Sequence, residues 1–293
     1  MILPQMCNSS SMPQFLLLAF TDRRKLQLLQ FWLFLAISLA ALLANGLILS
    51  TLACDHHLHT PMGFFLLNLS LTDLGCICTT VPKAMHNSLW DIPTISYTRC
   101  AAQLFFFFFF ISAELCLLTI MCYDHYVAIC KPLHYGTLLG SRACAHMAAA
   151  AWATGFLSAL LHTASTFSLP LCQGNALGQF FCEIPHILKL SCSHSGYLRE
   201  IGLIVVSACL ALGRHKAFST CLPHLTVVSL FISTSFFAYL KPPSISSPSL
   251  DLIVSVLYSV VSPTLNPLIY SLRNQELKDA VRKLITGLSK SFY

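Results

Sequence analysis

Long runs of uncharged residues constrain this chain more than any other feature. Leu26 to Cys54 and Leu252 to Leu272 carry no charge; Pro61 to Val81 is broken only by Asp73, and Ala101 to Tyr123 only by Glu114. Ala143 to Leu171 and Ala217 to Leu240 complete six such runs. A helix rises about 1.5 Å per residue, so roughly 20 apolar residues cross a hydrocarbon core about 30 Å thick. Each run is long enough to cross. With 56% hydrophobic residues, 10% charged residues and a mean hydropathy of +0.71, the chain has too few charges to cover a water-facing surface. The expected fold is therefore all-α, a polytopic helical bundle with lipid as its solvent.

A seventh run, Ile201 to Gly213, holds only 13 residues before Arg214, His215 and Lys216. It would reach roughly 20 Å, short of the bilayer. The expected organisation is an extracellular N-terminus over 1–25, helices near 26–53, 61–83, 101–126, 143–165, a truncated 198–213, 216–240 and 250–272, and a cytoplasmic tail over 273–293. The stretch before Leu26 is basic and the following run is too long for a signal peptide, so the first run reads as a retained anchor.

Orientation signals disagree. Arg273, Lys278, Arg282, Lys283 and Lys290 favour a cytoplasmic C-terminus, and Lys131 and Arg142 place the loop after the third run on the same side. Arg23, Arg24 and Lys25 pull the N-terminus inward, whereas the glycosylation sequon at Asn8 favours an outside N-terminus. A second sequon at Asn68 falls within a membrane run and reads as a chance match.

Most of the fourteen cysteines lie in apolar runs, where they behave as small hydrophobes. Four do not. Cys100 stands at the outer start of the third run, and Cys172, Cys182 and Cys192 lie in the loop before the short fifth run. An even count in one oxidising compartment points to two disulfides, and three pairings remain open. Cys182 with His186 could alternatively bind a metal, although the spacing fits no closed zinc pattern.

Ionisable and amide groups within lipid are costly and mark functional interiors. By helical rise, Asn45, Asp73, Glu114 and Asn266 all fall roughly 9 to 18 Å above the cytoplasmic face, so they could share one polar cluster. Two carboxylates with amide oxygens suit a hard cation such as Na⁺; a proton shared between Asp73 and Glu114 is the other reading. If Glu114 faces the interior, then Leu104, Phe107 and Ile111 share its face, flanked by Phe108 and Ser112. Phe231, Ser235 and Tyr239 form a similar stripe on the sixth run, and Ser255 with Tyr258 on the seventh. Aromatic and aliphatic walls with a few hydroxyls suit a small neutral molecule, although such stripes also serve packing alone. The Phe105 to Phe110 run points in all directions, so much of it must face lipid or neighbouring helices.

Five motifs now come together in order. They are Pro61-Met62-Gly63-Phe64-Phe65-Leu66 with Leu69-Ser70-Leu71-Thr72-Asp73; Met121-Cys122-Tyr123-Asp124-His125-Tyr126-Val127-Ala128-Ile129-Cys130 with Lys131-Pro132-Leu133-His134-Tyr135; Lys216-Ala217-Phe218-Ser219-Thr220-Cys221; Pro263-Thr264-Leu265-Asn266-Pro267-Leu268-Ile269-Tyr270; and Leu272-Arg273-Asn274. Together they resemble the signatures of vertebrate olfactory receptors, rhodopsin-like receptors with seven helices. The resemblance spans nearly the whole chain.

It implies a plasma-membrane receptor that binds small volatile odorants and activates a heterotrimeric G protein of the stimulatory type. It implies no cofactor, no enzymatic activity and no nucleic-acid partner. It also implies a Cys100–Cys182 bridge and a Cys172–Cys192 bridge, coupling through Asp124, His125 and Tyr126, and a seventh-helix switch at Asn266, Pro267 and Tyr270. Glu276 to Leu288 resembles the amphipathic helix that lies along the inner membrane surface, its basic residues toward the headgroups.

The chain departs from the family at three places. His125 replaces an arginine, and an imidazole with a reference pKa of about 6.5 cannot reproduce a permanently charged guanidinium with five donors. Gly63 replaces a tyrosine. Between Gly213 and Arg214 the family would place the inner half of helix five, a cytoplasmic loop and the start of helix six. A receptor-derived chain that does not signal is thus a live alternative. A transporter or channel would also explain Asp73 and Glu114, but the chain lacks repeated halves with paired broken helices. No pairing of nucleophile with base suggests an intramembrane enzyme.

Overall fold

The computed structural model describes residues 14–17, 24–90, 92, 94–170, 174–177, 180–191, 202, 256, 262–273 and 275–291. The fifth and sixth runs, the candidate pocket residues Phe231, Ser235, Tyr239, Ser255 and Tyr258, and Asn8, Cys172 and Cys192 lie outside these residues.

Among the described residues, four helices have the length and apolar character to cross a membrane: α1 (Arg24–Cys54), α2 (Pro61–Trp90), α3 (Tyr97–Cys130) and α4 (Ser141–Phe167). A short loop helix, α5 (Ile184–Lys189), follows them, then α6 (Ser262–Arg273) and α7 (Gln275–Ser291). Residues at the helix starts explain where the chain begins to coil. Thr60 Oγ1 accepts the Gly63 N–H at 3.1 Å while Pro61, which has no N–H to satisfy, opens α2. Ser96 Oγ accepts the Arg99 N–H at 3.3 Å and caps α3.

The outward faces confirm lipid as the solvent. Leu29, Trp32, Leu33, Leu39 and Leu43 on α1 are exposed, as are Phe156, Leu157, Leu160 and Leu161 on α4. A surface this apolar is stable against acyl chains and not against water. The Phe105 to Phe110 run divides as its periodicity predicts. Phe107 is buried, Phe106 is exposed, Phe105 meets Phe156 of α4 edge-on, and Phe109 packs at a tilt against Trp152 of α4.

Helices α3 and α4 approach closely at Gly155. A side chain there would place its first carbon 2.7 Å from the Phe109 carbonyl oxygen and 3.1 Å from Ala113 Cβ. Small residues that let backbones approach are how helices pack within lipid, where apolar burial drives little. Gly63 has an equivalent reason. The Leu58 carbonyl occupies the space a Cβ would need, so the loop before α2 closes directly onto this position.

The core is layered along the bundle. At one end Ile48, Leu52, Phe65, Leu69, Leu117 and Met121 pack with Leu277 of α7. The middle layer joins Phe34, Cys76, Ile77, Phe107 and Ile111 to Phe180 and Phe181. The far layer, at the disulfide end, contains Cys100, Leu104, Cys182, Ile184 and Ile187 with Phe15 and Leu17. Phe15 and Leu17 belong to a three-stranded sheet that the sequence did not suggest. Strand β1 (Gln14–Leu17) lies between β2 (Thr94–Ser96), antiparallel, and β3 (Ala176–Leu177), parallel.

Candidate functional site

The polar cluster expected from helical rise is assembled around one amide. Asn266 Nδ2 donates to Asp73 Oδ1 at 2.9 Å and to Glu114 Oε1 at 2.8 Å, using both of its hydrogens. It thereby ties α6 to α2 and α3. Asp73, Glu114 and Asn266 are all at most 2% exposed. Asp73 Oδ2 and Asn266 Oδ1 are buried and accept no hydrogen bond from the described residues. Buried oxygens aimed into a polar interior are rarely left so in a structure with no use for them.

Asn45 takes a different part from the one expected. Its Nδ2 donates to the Ala41 carbonyl at 3.0 Å and to the Pro263 carbonyl at 3.2 Å, and neither bond goes to a carboxylate. The reason lies in Pro267, which is inside α6 and has no N–H. In a regular helix that N–H would bond the carbonyl four residues earlier, at Pro263. Asn45 supplies the missing donor from α1. The helix is thus weakened one turn from Asn266 and repaired by a side chain on another helix, an arrangement that can be remade when helices shift.

At the other end of α3, Asp124 is buried and its Oδ1 accepts the Tyr135 hydroxyl at 2.8 Å. Burial, followed by this bond to Asp124, pushes the Tyr135 phenol above its ordinary range, so it remains a donor. His125 Nδ1 stands 3.9 Å from Asp124 Oδ2 and is partly exposed. Tyr126 is half-buried and packs against the neighbouring apolar core. Tyr135, missed in the sequence reading as a partner for Asp124, was visible only as part of a motif.

Cys100 and Cys182 form a disulfide, both fully buried. This removes Cys182 as a metal ligand. His186 pairs with Glu183 instead, at 3.5 Å. No group of three or more His, Cys, Asp or Glu that could hold a metal occurs among the described residues. Gln103, one turn from Cys100, reinforces the bridge. Its Oε1 accepts the Cys182 N–H at 3.0 Å, and its Nε2 donates to the Thr79 carbonyl at 3.0 Å, in the turn of α2 where Pro82 has no N–H to donate. Nothing in the sequence marked Gln103, because its partners are all backbone groups of distant segments.

The face of α3 above Glu114 is arranged as its periodicity predicts. Leu104, Phe107 and Ile111 are buried on one side. Phe107 meets Phe181 at a ring distance of 5.4 Å. The flanking residues turn toward α4, where Phe108 stacks on His162 at 4.8 Å and Ser112 Oγ donates to Ser158 Oγ at 3.2 Å. Ser112 therefore spends its hydroxyl on helix packing.

Comparison with known proteins agrees with this architecture. The family described as 7 transmembrane receptor (rhodopsin family) matches residues 44–270. The chain is 45% identical to human olfactory receptor 14J1 over 305 positions, covering 96% of this chain and 95% of the relative. It is 44% identical to human olfactory receptor 14A16 over 306 positions, with 96% and 98% covered, and 43% identical to human olfactory receptor 5B21 over 303, with 96% and 98% covered. An alignment of 305 positions exceeds the 293 residues of this chain, so the relative carries residues with no counterpart here. A long match to the receptor family, a relative at 45% identity along nearly its full length and a buried Asp73–Asn266–Glu114 junction lead to one conclusion: the chain belongs to the olfactory receptors of the rhodopsin family, multi-pass plasma-membrane receptors that are not enzymes.

Proposed function

We propose that this odorant receptor binds small, neutral, volatile molecules against the α3 face formed by Leu104, Phe107 and Ile111, with Phe108 and Ser112 at its edge. Phe231, Ser235, Tyr239, Ser255 and Tyr258 would supply the opposite walls. The G protein served would be the stimulatory olfactory type, met through Asp124, His125 and Tyr126, with Asn266, Pro267 and Tyr270 as the switch. The observation that carries this reading is the Asn266 bridge, because it couples the ligand face, through Glu114 one turn below Ile111, to the proline-weakened α6. A broad panel of neutral volatiles should contain members that raise the melting temperature of the purified chain, and replacing Ile111 by Trp should abolish that rise. A rise that persists in Ile111→Trp would place the ligand elsewhere.

The reading puts the N-terminus outside, with Asn8 available for glycosylation, and the tail in the cytoplasm. One opposing signal has a local explanation. Arg24 donates to the Ser88 carbonyl at 3.1 Å and the Leu89 carbonyl at 2.7 Å, closing the last turn of α2. A guanidinium spent on a helix end is a poor guide to topology. The Cys100–Cys182 bridge belongs on the oxidising side, and the sheet containing β1 is on that same side. Cys172 with Cys192 would form the second bridge there.

Asp73, Glu114, Asn266 and, through its Oδ1, Asn45 would hold either Na⁺ or a shared proton. Asp73 Oδ2, Asn45 Oδ1 and Asn266 Oδ1 are the hard oxygen donors such a cation takes. Asp73→Asn should therefore remove any difference in melting between sodium and potassium buffers, or flatten the dependence of melting on pH. Melting of the native chain that changes neither between the two salts nor with pH would discard both versions.

A second reading concerns signalling. His125 cannot make the bidentate contacts of arginine, and the shortness of the Ile201 to Gly213 run is the ground for a deletion between Gly213 and Arg214. Such a chain would bind odorants and couple weakly.

A further inference from the structure

We propose that the N-terminal strand β1 is the gate of the ligand site, with Phe15 and Leu17 closing its aqueous entrance; this rests on ligand occupying the α3 face beginning at Leu104. The strand alternates as a half-buried strand should. Gln14 is exposed and Leu16 half-buried, whereas Phe15 and Leu17 are each 1% exposed. The two buried side chains enter the same apolar cluster as Cys100, Leu104, Cys182, Ile184 and Ile187, with Phe108 packed against it. They are thus in the layer directly above the proposed ligand face.

The strand also holds the two loops together. It is the central member of the sheet, with Phe15 opposite Ile95 on β2 and Leu16 opposite Ala176 on β3. Leu16 N–H donates to the Asn175 carbonyl at 2.8 Å, and Asn175 Nδ2 donates to the Gln14 carbonyl at 3.3 Å. Phe15 stacks on Tyr97 at 6.0 Å; Tyr97 in turn meets Phe167 at 4.9 Å and donates its hydroxyl to the Phe167 carbonyl at 2.9 Å. Removing β1 would leave β2 and β3 without a pairing partner and expose the top of α3.

Its attachment differs from that of the helices around it. Four residues are held by a short ladder and two buried side chains, and no covalent bond fixes them to the loops. Segments secured by few buried contacts open locally at far lower free energy than the global fold. A molecule arriving from water must wait for that opening.

The gate can be tested without a known odorant. Phe108→Cys places a thiol beneath the strand, and a membrane-impermeant methanethiosulfonate reagent applied to intact cells reports access to it, with the chain lacking this substitution as background. Labelling should be slow behind the native strand. Phe15→Ala should accelerate it about tenfold or more, as expected when a buried aromatic anchor is lost, and Leu16→Ala should not. Should Phe15→Ala fail to reach the surface, the milder Leu17→Val is read in the same way. Fast labelling of the native strand, equal rates in all variants, or acceleration by Leu16→Ala would overturn the gate. Volatiles that still raise the melting temperature of the Phe108→Cys chain should slow labelling by occupying the site; if the gate variants behave as stated but none of these volatiles slows the reaction, the gate stands and the ligand face is wrong.

Discussion

Cells expressing Cys100→Ala or Cys182→Ala should carry almost none of the receptor on their surface while retaining a misfolded intracellular pool. The bridge spans 82 residues and ties the start of α3 to the loop that carries α5. Loss of a native disulfide costs about 2 to 5 kcal/mol in small secreted domains. Here the loss spreads further. The Cys182 N–H is held by Gln103, whose other end satisfies Thr79 near Pro82, so releasing the loop also disturbs that turn of α2. Phe180 and Phe181, next to the bridge, fill the middle layer against Phe34 and Phe107. Surface staining compared with total protein measures the effect. Normal surface levels in both mutants would contradict a structural role for the bridge.

Lipid made much of this fold legible. Backbone groups in hydrocarbon must be satisfied within a helix, so uncharged length alone located α1 to α4. Helical rise also placed Asp73, Glu114 and Asn266 at one depth, because depth follows directly from residue number. Partners across helices were not legible. Asn45 shares that depth, but its bond to the Pro263 carbonyl depends on which face of α1 meets α6. The end of α2 was expected near 83, where Pro82 and Lys83 interrupt the pattern, yet the helix runs to Trp90. Gln103 takes the Thr79 carbonyl in the turn of Pro82, and Arg24 closes the last turn, both from other helices. Strand β1 was invisible because four residues of a short strand carry too little period to register. Its partners come from loops roughly eighty and one hundred and sixty residues away.

The native chain should give little or no cyclic AMP response to odorants, whereas a repaired chain should respond. A seven-helix plan needs the fifth segment to descend fully and the sixth to return, with a turn between them. As a helix, Ile201 to Gly213 would reach roughly 20 Å, and the three residues Arg214 to Lys216 are too few to supply both further turns and a loop. Left within hydrocarbon, Arg214 and Lys216 would each cost about 2.5 to 3.5 kcal/mol. The face made by Asp124 and Tyr135 loses in addition the guanidinium that His125 replaces. A hydrogen bond to a charged group contributes about 1.5 to 3 kcal/mol, so losing one made by that guanidinium would cost about tenfold or more in coupling. The decisive measurement is a heterologous cyclic AMP assay over a broad panel of neutral volatiles. It compares the native chain with one carrying His125→Arg and, inserted after Gly213, a full inner half of helix five, a cytoplasmic loop and the start of helix six taken from human olfactory receptor 14J1. The native chain should give at most a weak response, and the repaired one robust ligand-dependent signalling. Robust signalling from the native chain would contradict the coupling defect, and silence from both would contradict a working odorant site on this scaffold.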